Sequence, residues 1–257
     1  MRVLAIGDVV GKCGTEFLRL KLNEIKAQKN IDFVIANGEN SAEGNGITPL
    51  SANHMLKSGV NVITSGNHTF RRREIFPFLN DNYMVIRPYN YPSKTTPGVG
   101  IYKTRVNGVK VAVINILGVV YLDPLNSPFQ AADDALELCS DCKIKIIDFH
   151  AEATAEKRAM GYYVDGKVSA IFGTHTHVQT SDEQILPLGT GYITDVGMTG
   201  VIHSVLGVKK EISIKKMKEK IPVRFQNAEG DCKMECVIFE IDETTGKTVQ
   251  LERIRVI

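Results

Sequence analysis

Apolar positions along the chain follow two periods that alternate. Residues 2–6 form a β-branched run that predicts a strand, residues 15–29 place Phe17, Leu18, Leu22 and Ile25 along one helical face, and residues 33–36 predict a second strand. Thr48-Pro49 then opens a helix that runs through Lys57, with proline at the first helical position, and Gly59 closes it before a third strand at 60–64. This repeated strand–helix–strand order predicts three parallel strands.

The pattern changes at residues 99–105 and 110–116, two runs that flank Asn107-Gly108, a strong signal for a tight hairpin. The sheet content is therefore mixed. A helix at 129–138, a strand at 144–149, a helix at 154–160 and a strand at 168–172 resume the alternation. From Pro222 onward the pattern reads as hairpins, with turns at 227–231 and 244–246 around alternating runs such as 237–241. Residues 87–98 read as one long Pro-rich surface loop. Residues 209–220 hold six lysines, with Ile214, Met217 and Ile221 at helical spacing, and read as an amphipathic surface helix. The sum is an α/β protein with two mixed sheets and helices outside them.

At 257 residues, 43% hydrophobic and 23% charged, the chain has the make-up of one globular domain spanning 1–257. That composition excludes disorder. With 31 basic and 29 acidic side chains the net charge is +2, too small to build a long-range field for a polyanion. The most apolar stretch, residues 111–122, is broken by Asn115 and Gly118 and falls short of the roughly twenty residues that span a bilayer. No secretory leader is recognisable at the N-terminus, so a cytoplasmic location without membrane attachment is expected. Five cysteines are an odd number on a chain large enough to need no covalent staples, and they are expected as reduced thiols.

The polar residues of chemical interest share one address. Asp8 follows the first strand, Glu39-Asn40 the second, Asn67-His68 the third, His150 ends the strand begun at 144, and His175 and His177 follow the strand ending at 172. Open α/β sheets bind ligands at the carboxyl ends of their strands, so these loops are expected to converge on one rim. Singly, each residue has an ordinary reading as a helix cap, a turn or a satisfied histidine. Together they supply two carboxylates, amide oxygens and imidazoles, a donor mixture suited to transition metals. In Gly173-Thr174-His175-Thr176-His177 the two imidazoles, two residues apart, face the same way if the loop is extended. Asp8, Glu39, Asn67, His150, His175 and His177, with Asn40 as an addition, are too many ligands for one ion that keeps an open position. Two ions sharing a carboxylate would use them all. His54 and His203 lie outside this set. Gly7 to Lys12 is a poor phosphate-binding loop because its spacing is short and Cys13 stands where a metal-binding hydroxyl is needed.

The ordered motifs Gly7-Asp8, Gly38-Glu39-Asn40, Gly66-Asn67-His68, His150 and Gly173-Thr174-His175-Thr176-His177 resemble the signature of the calcineurin-like metallophosphoesterases. Ile6-Gly7-Asp8-Val9-Val10-Gly11 with Ala36-Asn37-Gly38-Glu39-Asn40 is similar to their YmdB-type branch, bacterial phosphodiesterases acting on 2',3'-cyclic nucleotides. Three positions depart from the wider superfamily: Val10 replaces a usual histidine, Glu39 an aspartate, and Thr69 a glutamate. The resemblance implies a four-layer α/β/β/α sandwich and two metal ions, iron or manganese, with zinc as the alternative. It further implies that Glu39 bridges the ions, that Asp8, His177 and Asn40 hold one, and that Asn67, His150 and His175 hold the other. His68 would stand beside them and steady charge or protonate the leaving oxygen as a metal-bridging hydroxide attacks phosphorus. Two divalent ions, two carboxylates and a hydroxide leave roughly one positive charge, which a monoanionic diester neutralises. Arg71 to Arg73 and Lys12 could offset a second charge. The expected substrate is thus a small phosphodiester or cyclic nucleotide. The alternatives are a phosphomonoesterase, a nuclease on RNA ends, and a regulatory nucleotide- or RNA-binding protein in which hydrolysis is incidental. The resemblance also implies a homo-oligomer.

Overall fold

A computed structural model describes residues 1–257. In chain order the elements are β1 (Arg2–Ile6), β2 (Asp8–Val9), α1 (Gly11–Lys29), β3 (Phe33–Asn37), α2 (Pro49–Lys57), β4 (Val62–Thr64), α3 (Ile75–Asp81), β5 (Ile101–Val106), β6 (Val109–Leu117) and α4 (Pro128–Leu138). They continue with β7 (Ile144–His150), α5 (Thr154–Tyr163), β8 (Ala170–Thr174), β9 (Gln184–Ile185), β10 (Gly191–Ile193), β11 (Met198–Val201), α6 (Lys210–Glu219), β12 (Cys232–Ile241) and β13 (Thr248–Val256).

One sheet runs β2-β11-β12-β1-β3-β4, with β13 on the far edge of β12. β1, β3 and β4 are parallel, as the strand–helix alternation predicts. β12 runs antiparallel to β1 and, further along the same edge, antiparallel to β11. The second sheet runs β5-β6-β7-β8-β10-β9, in which β6, β7, β8 and β10 are parallel and both outer strands are antiparallel.

The alternation of side chains along each strand builds the layers. On β1, Leu4 and Ile6 pack outward against Leu18, Leu22, Met55 and Ile75 of the first helical layer. Val3 and Ala5 face the other way, onto Val113, Ile146 and Phe172 of the second sheet. On that sheet's outer face, Ile114, Ile147 and Phe149 pack against Ala132, Ala135 and Met160 of α4 and α5. Three apolar clusters thus separate four layers, the α/β/β/α order implied by the resemblance.

Local chemistry sets the joints. Ser51 N donates to Thr48 Oγ1 and Thr48 N to Ser51 Oγ, both at 3.1 Å, which closes a capping box at the start of α2. Asn107 and Gly108 both take positive φ in the β5–β6 turn, as a tight hairpin requires. All five cysteines are free, and four are buried. No helix is long and apolar enough to cross a membrane.

Several expectations are corrected. α1 begins at Gly11 rather than residue 15, because Gly14 lets the helix lie so close to β11 that a Cβ there would sit 2.4 Å from Thr199 O. Residues 222–231 form no hairpin and contribute one isolated bridge, Asn227 with Val208, so the C-terminal region holds a single hairpin, β12–β13. The 87–98 segment is not wholly a surface loop, since Arg87 and Asn90 are buried. α6 lies on the surface, but Ile214 and Met217 point into solvent at 57% and 65% exposure.

The Phe172 and Phe239 rings meet across the inter-sheet core with centroids 6.4 Å apart. Phe239→Ala should lower unfolding free energy by about 3–5 kcal/mol, read from urea denaturation. A loss below about 1 kcal/mol would mean that the sheets close over the cavity.

Candidate metal centre

The loops after β1, β3, β4, β7 and β8 converge, and all eight residues expected at the site fall into one hydrogen-bonded cluster. Glu39 is its hub and is 1% exposed. Its Oε1 lies 3.3 Å from His150 Nε2 and accepts from Asn40 Nδ2 at 3.0 Å, while its Oε2 accepts from His68 N at 3.0 Å. On one side, Asn40 Nδ2 lies 3.2 Å from His177 Nε2, which is 3.6 Å from Asp8 Oδ1. On the other, His150 Nε2 lies 3.1 Å from Asn67 Oδ1 and 3.0 Å from His175 Nδ1. Glu39, His150 and His175 bring their ligand atoms within 4.8 Å of one another. Gly66 is obligatory for this approach, since a Cβ there would lie 2.3 Å from His150 Cδ2 and 2.4 Å from Glu39 Oε2.

The outer nitrogen of each imidazole is held by an oxygen acceptor, which decides the tautomers. His177 Nδ1 donates to Leu206 O at 3.1 Å, and His175 Nε2 lies 2.9 Å from Glu152 Oε2. Thr174 Oγ1 donates to Asp148 Oδ1 at 2.7 Å, so its lone pair accepts from His150 Nδ1 at 2.8 Å. Asp148 is itself fixed by Thr64 Oγ1 and by Asn37 Nδ2 at 3.1 Å. Inner nitrogens turned toward two carboxylates are the arrangement a metal requires, and the ion would take the place of the proton that His150 shares with Glu39. Asp8 Oδ1 is buried without any hydrogen-bond partner, an orphan that a cation would satisfy. The donor set therefore fits divalent metal.

The loop that carries two of the imidazoles is strained: His175 and His177 take φ of 101° and 63°. Asp195 holds it, accepting from Thr176 N at 3.1 Å and Thr176 Oγ1 at 2.8 Å, and is paired with buried Lys157 at 2.7 Å. Asp8 Oδ2 accepts from His175 N at 3.0 Å. His68 sits apart from the inner nitrogens. Its Nδ1 lies 2.9 Å from Asn40 Oδ1, and its side chain is 25% exposed. His54 faces Glu16 far along α1, and His203 is exposed.

The supporting groups Asn37, Asp148, Thr174, Asp195 and Lys157 were not anticipated from the sequence. Period-two spacing offered a signal for Asp148, which precedes His150 by two residues on β7, whereas Asn37 ends β3 two residues before Glu39. Asp195 follows β10, a strand too short to be seen by periodicity.

Burial opposes ionisation of Glu39, and the facing His150 and His68 outweigh it, so its carboxyl lies well below the usual range. Asp8 is lowered in the same way, mainly by His177. His150 is driven the opposite way: burial disfavours its charge, but Glu39 and Asp8 raise it to about 9. Burial and the His150 charge push His175 down to about 4. Burial alone raises Asp148 to about 6 against the pull of His150 and its hydroxyl donors.

Over residues 4–254 the chain matches the profile of the YmdB-like proteins. It belongs to the YmdB-like family. A 2',3'-cyclic-nucleotide 2'-phosphodiesterase of Bacillus subtilis is 47% identical over 255 residues, spanning 99% of this chain and 96% of its own. The crystal structure of a novel phosphatase of Mycoplasma pneumoniae superposes with a TM-score of 0.94 at 35% identity, over 100% of this chain and 93% of that one. The NAD nucleotidase of Haemophilus influenzae, at 13% identity and TM-score 0.63 over 99% of this chain and 55% of its own, shares the fold.

In chelator-treated protein, the raised His150 contributes stability that is full below pH 6.5 and lost as pH rises through about 9. The lowered His175 contributes stability that is full above pH 6.5 and lost as pH falls through about 4. The raised Asp148 offsets the His175 loss on the acid side, so the melting temperature of the chelated protein should fall mainly between pH 6.5 and about 9, where the gain on adding metal should widen, read by calorimetry. A profile flat between pH 6.5 and about 9 would contradict the raised His150. Thr174→Val removes the acceptor that orients His150 and should weaken metal binding roughly ten- to a hundredfold in a competition titration.

Proposed function

We propose that this chain, acting as one domain over residues 1–257, is a metal-dependent phosphoric diester hydrolase whose preferred substrates are 2',3'-cyclic nucleotides. The observation that carries the reading is the meeting of two donor groups on one buried carboxylate. Asp8, Asn40 and His177 would hold one ion, Asn67, His150 and His175 the other, and Glu39 would be shared. Homology supports ester hydrolysis at phosphorus, since the B. subtilis relative bears a phosphodiesterase name and the M. pneumoniae one a phosphatase name. The cyclic-nucleotide preference rests on the 47% identical relative.

Bound at this centre, a pair of divalent ions would polarise phosphoryl oxygens and activate water near neutral pH. Iron or manganese suits the imidazole, carboxylate and amide donors, and zinc is the alternative. The remaining work falls to the chain. Asn40 Oδ1 and Glu39 hold His68 by Nδ1, which leaves Nε2 to donate a proton to the departing sugar oxygen. Glu39, His150 and Asp8 are placed on rigid strand ends, so nothing in their positions need reorganise as charge develops. The exposed Arg71 and Arg73 follow His68 closely and add positive potential beside the opening.

Manganese-loaded protein should hydrolyse bis-p-nitrophenyl phosphate and 2',3'-cyclic AMP, and chelation should abolish both activities. Glu39→Gln should lose activity more than about a hundredfold together with bound metal. His68→Ala should keep its metal and slow turnover by roughly 10²–10⁴. Metal loss in His68→Ala would overturn its role. Hydrolysis of p-nitrophenyl phosphate without turnover of either diester would make the protein a monoesterase.

A further inference from the structure

Arg87 is a buried cation without a counter-ion. It follows β4 and Ile86 and is 9% exposed. Its Nη1 donates to Pro88 O at 2.7 Å and Tyr89 O at 3.4 Å, whereas its buried Nε has no acceptor. Burial lowers its pKa, the titratable groups that act on it are Tyr91 and Tyr89, and no carboxylate is among them. A guanidinium withdrawn from water in this way is normally matched by a carboxylate or phosphate.

Arg87 lines a cavity of about 470 Å³ together with Tyr91, Lys94, Asn126, Ser127 and Gln130. Its guanidinium lies 5.9 Å from the Tyr91 ring centroid. Lys94 is exposed and makes no ion pair that competes for a ligand. Ser127 is the N-cap of the eleven-residue α4, so the positive end of that helix borders the same space. One carboxylate, Asp134, also lines it, and its Oδ1 is taken by Gln130 Nε2 at 2.9 Å.

Two residues of the cavity wall pack on segments that also carry the metal-site residues. The Tyr91 ring stands edge-on to Phe70, two residues after His68, at 5.1 Å. Asn90 Nδ2 donates to Leu117 O at 2.8 Å, and Leu117 is the register partner of His150.

We propose that Arg87, Lys94 and the N-terminus of α4 form a second anion site, which takes a phosphate ester beside the metal centre. The guanidinium supplies its charge and its remaining Nη2 donors to phosphate oxygens, Lys94 a mobile charge at the rim, and Tyr91 a flat apolar wall. Two sources share this chemistry: the next phosphate along an oligonucleotide that ends in the scissile cyclic ester, or a separately bound nucleotide. The link to substrate rests on the phosphodiesterase reading, whereas the anion site does not.

Titration of inorganic phosphate into the Glu39→Gln protein, which weakens the metal centre, isolates the second site. Binding should persist there, and adding Arg87→Met should weaken it by about tenfold or more. Arg87→Lys should recover part of the loss. Because Arg87 also tethers two carbonyls, Lys94→Gln provides a variant on an exposed side chain and should weaken binding by about threefold. Absence of phosphate binding in Glu39→Gln, or unchanged affinity in both the Arg87→Met and Lys94→Gln combinations, overturns the proposal. The sources separate on comparing kcat/KM for 2',3'-cyclic AMP with that for a dinucleotide ending in the same cyclic phosphate. A preference for the dinucleotide that Arg87→Met removes assigns the site to the flanking phosphate, and equal turnover with phosphate binding intact assigns it to a separate nucleotide. Failure of wild-type protein to hydrolyse either ester would sink the phosphodiesterase reading and leave the phosphate titration to judge the site.

Discussion

Two carboxylates, those of Asp8 and Glu39, lie out of reach of solvent at the seam between the sheets, and their charge must be met from within. Much of the surrounding structure answers that constraint. Imidazoles arrive from β7 and from the loop after β8, an amide from the loop after β4, and the main chain at His68 from the turn that Gly66 makes tight. Removing the positive side of this balance would leave uncompensated negative charge in a region of low polarisability. Keeping it forces the imidazoles into competition, so that one is driven toward charge and its neighbour away from it. A divalent ion would resolve that competition by replacing shared protons with ligand bonds.

The support for this arrangement comes from a second ring of groups that carry no reactivity of their own. Asp148 fixes Thr174, and Thr174 fixes His150; Asp195 fixes Thr176, and with it the two strained histidines on either side. Each chain of contacts ends on a residue buried in the body of the fold, Thr64 in one case and Lys157 in the other. The geometry of the centre is therefore borrowed from the rigidity of the sheets.

The reactive residues were legible in the sequence because each one stands at a strand end, and strands long enough to show periodicity reveal their own ends. The four-layer order became legible through family motifs, and the alternation on β1 shows its physical origin: Leu4 and Ile6 turn to the helices, Val3 and Ala5 to the other sheet. What stayed hidden has equally particular causes. β10 and β11 span three and four residues and show too little period to be seen, so Asp195 had no visible strand to follow. α6 has the spacing of a buried face, yet Ile214 and Met217 remain in solvent, because periodicity reports a face and says nothing of whether a partner covers it. Arg87 was lost inside a Pro-rich stretch, where loop composition concealed a buried charge.

The position of β12 has a consequence for how the chain acquires its shape. β1 is an interior strand: β3 covers one edge, and β12, whose partners for residues 2–6 are residues 236–240, covers the other. As the polypeptide leaves the ribosome, the first strand and the helices that follow can assemble on one side only. Its second edge stays open until nearly the whole chain has emerged. Pairing across such a sequence separation is slow, and an uncovered apolar edge is a template for pairing with other chains. Asp8, just past the end of that strand, is thus made long before the strand that completes its surroundings.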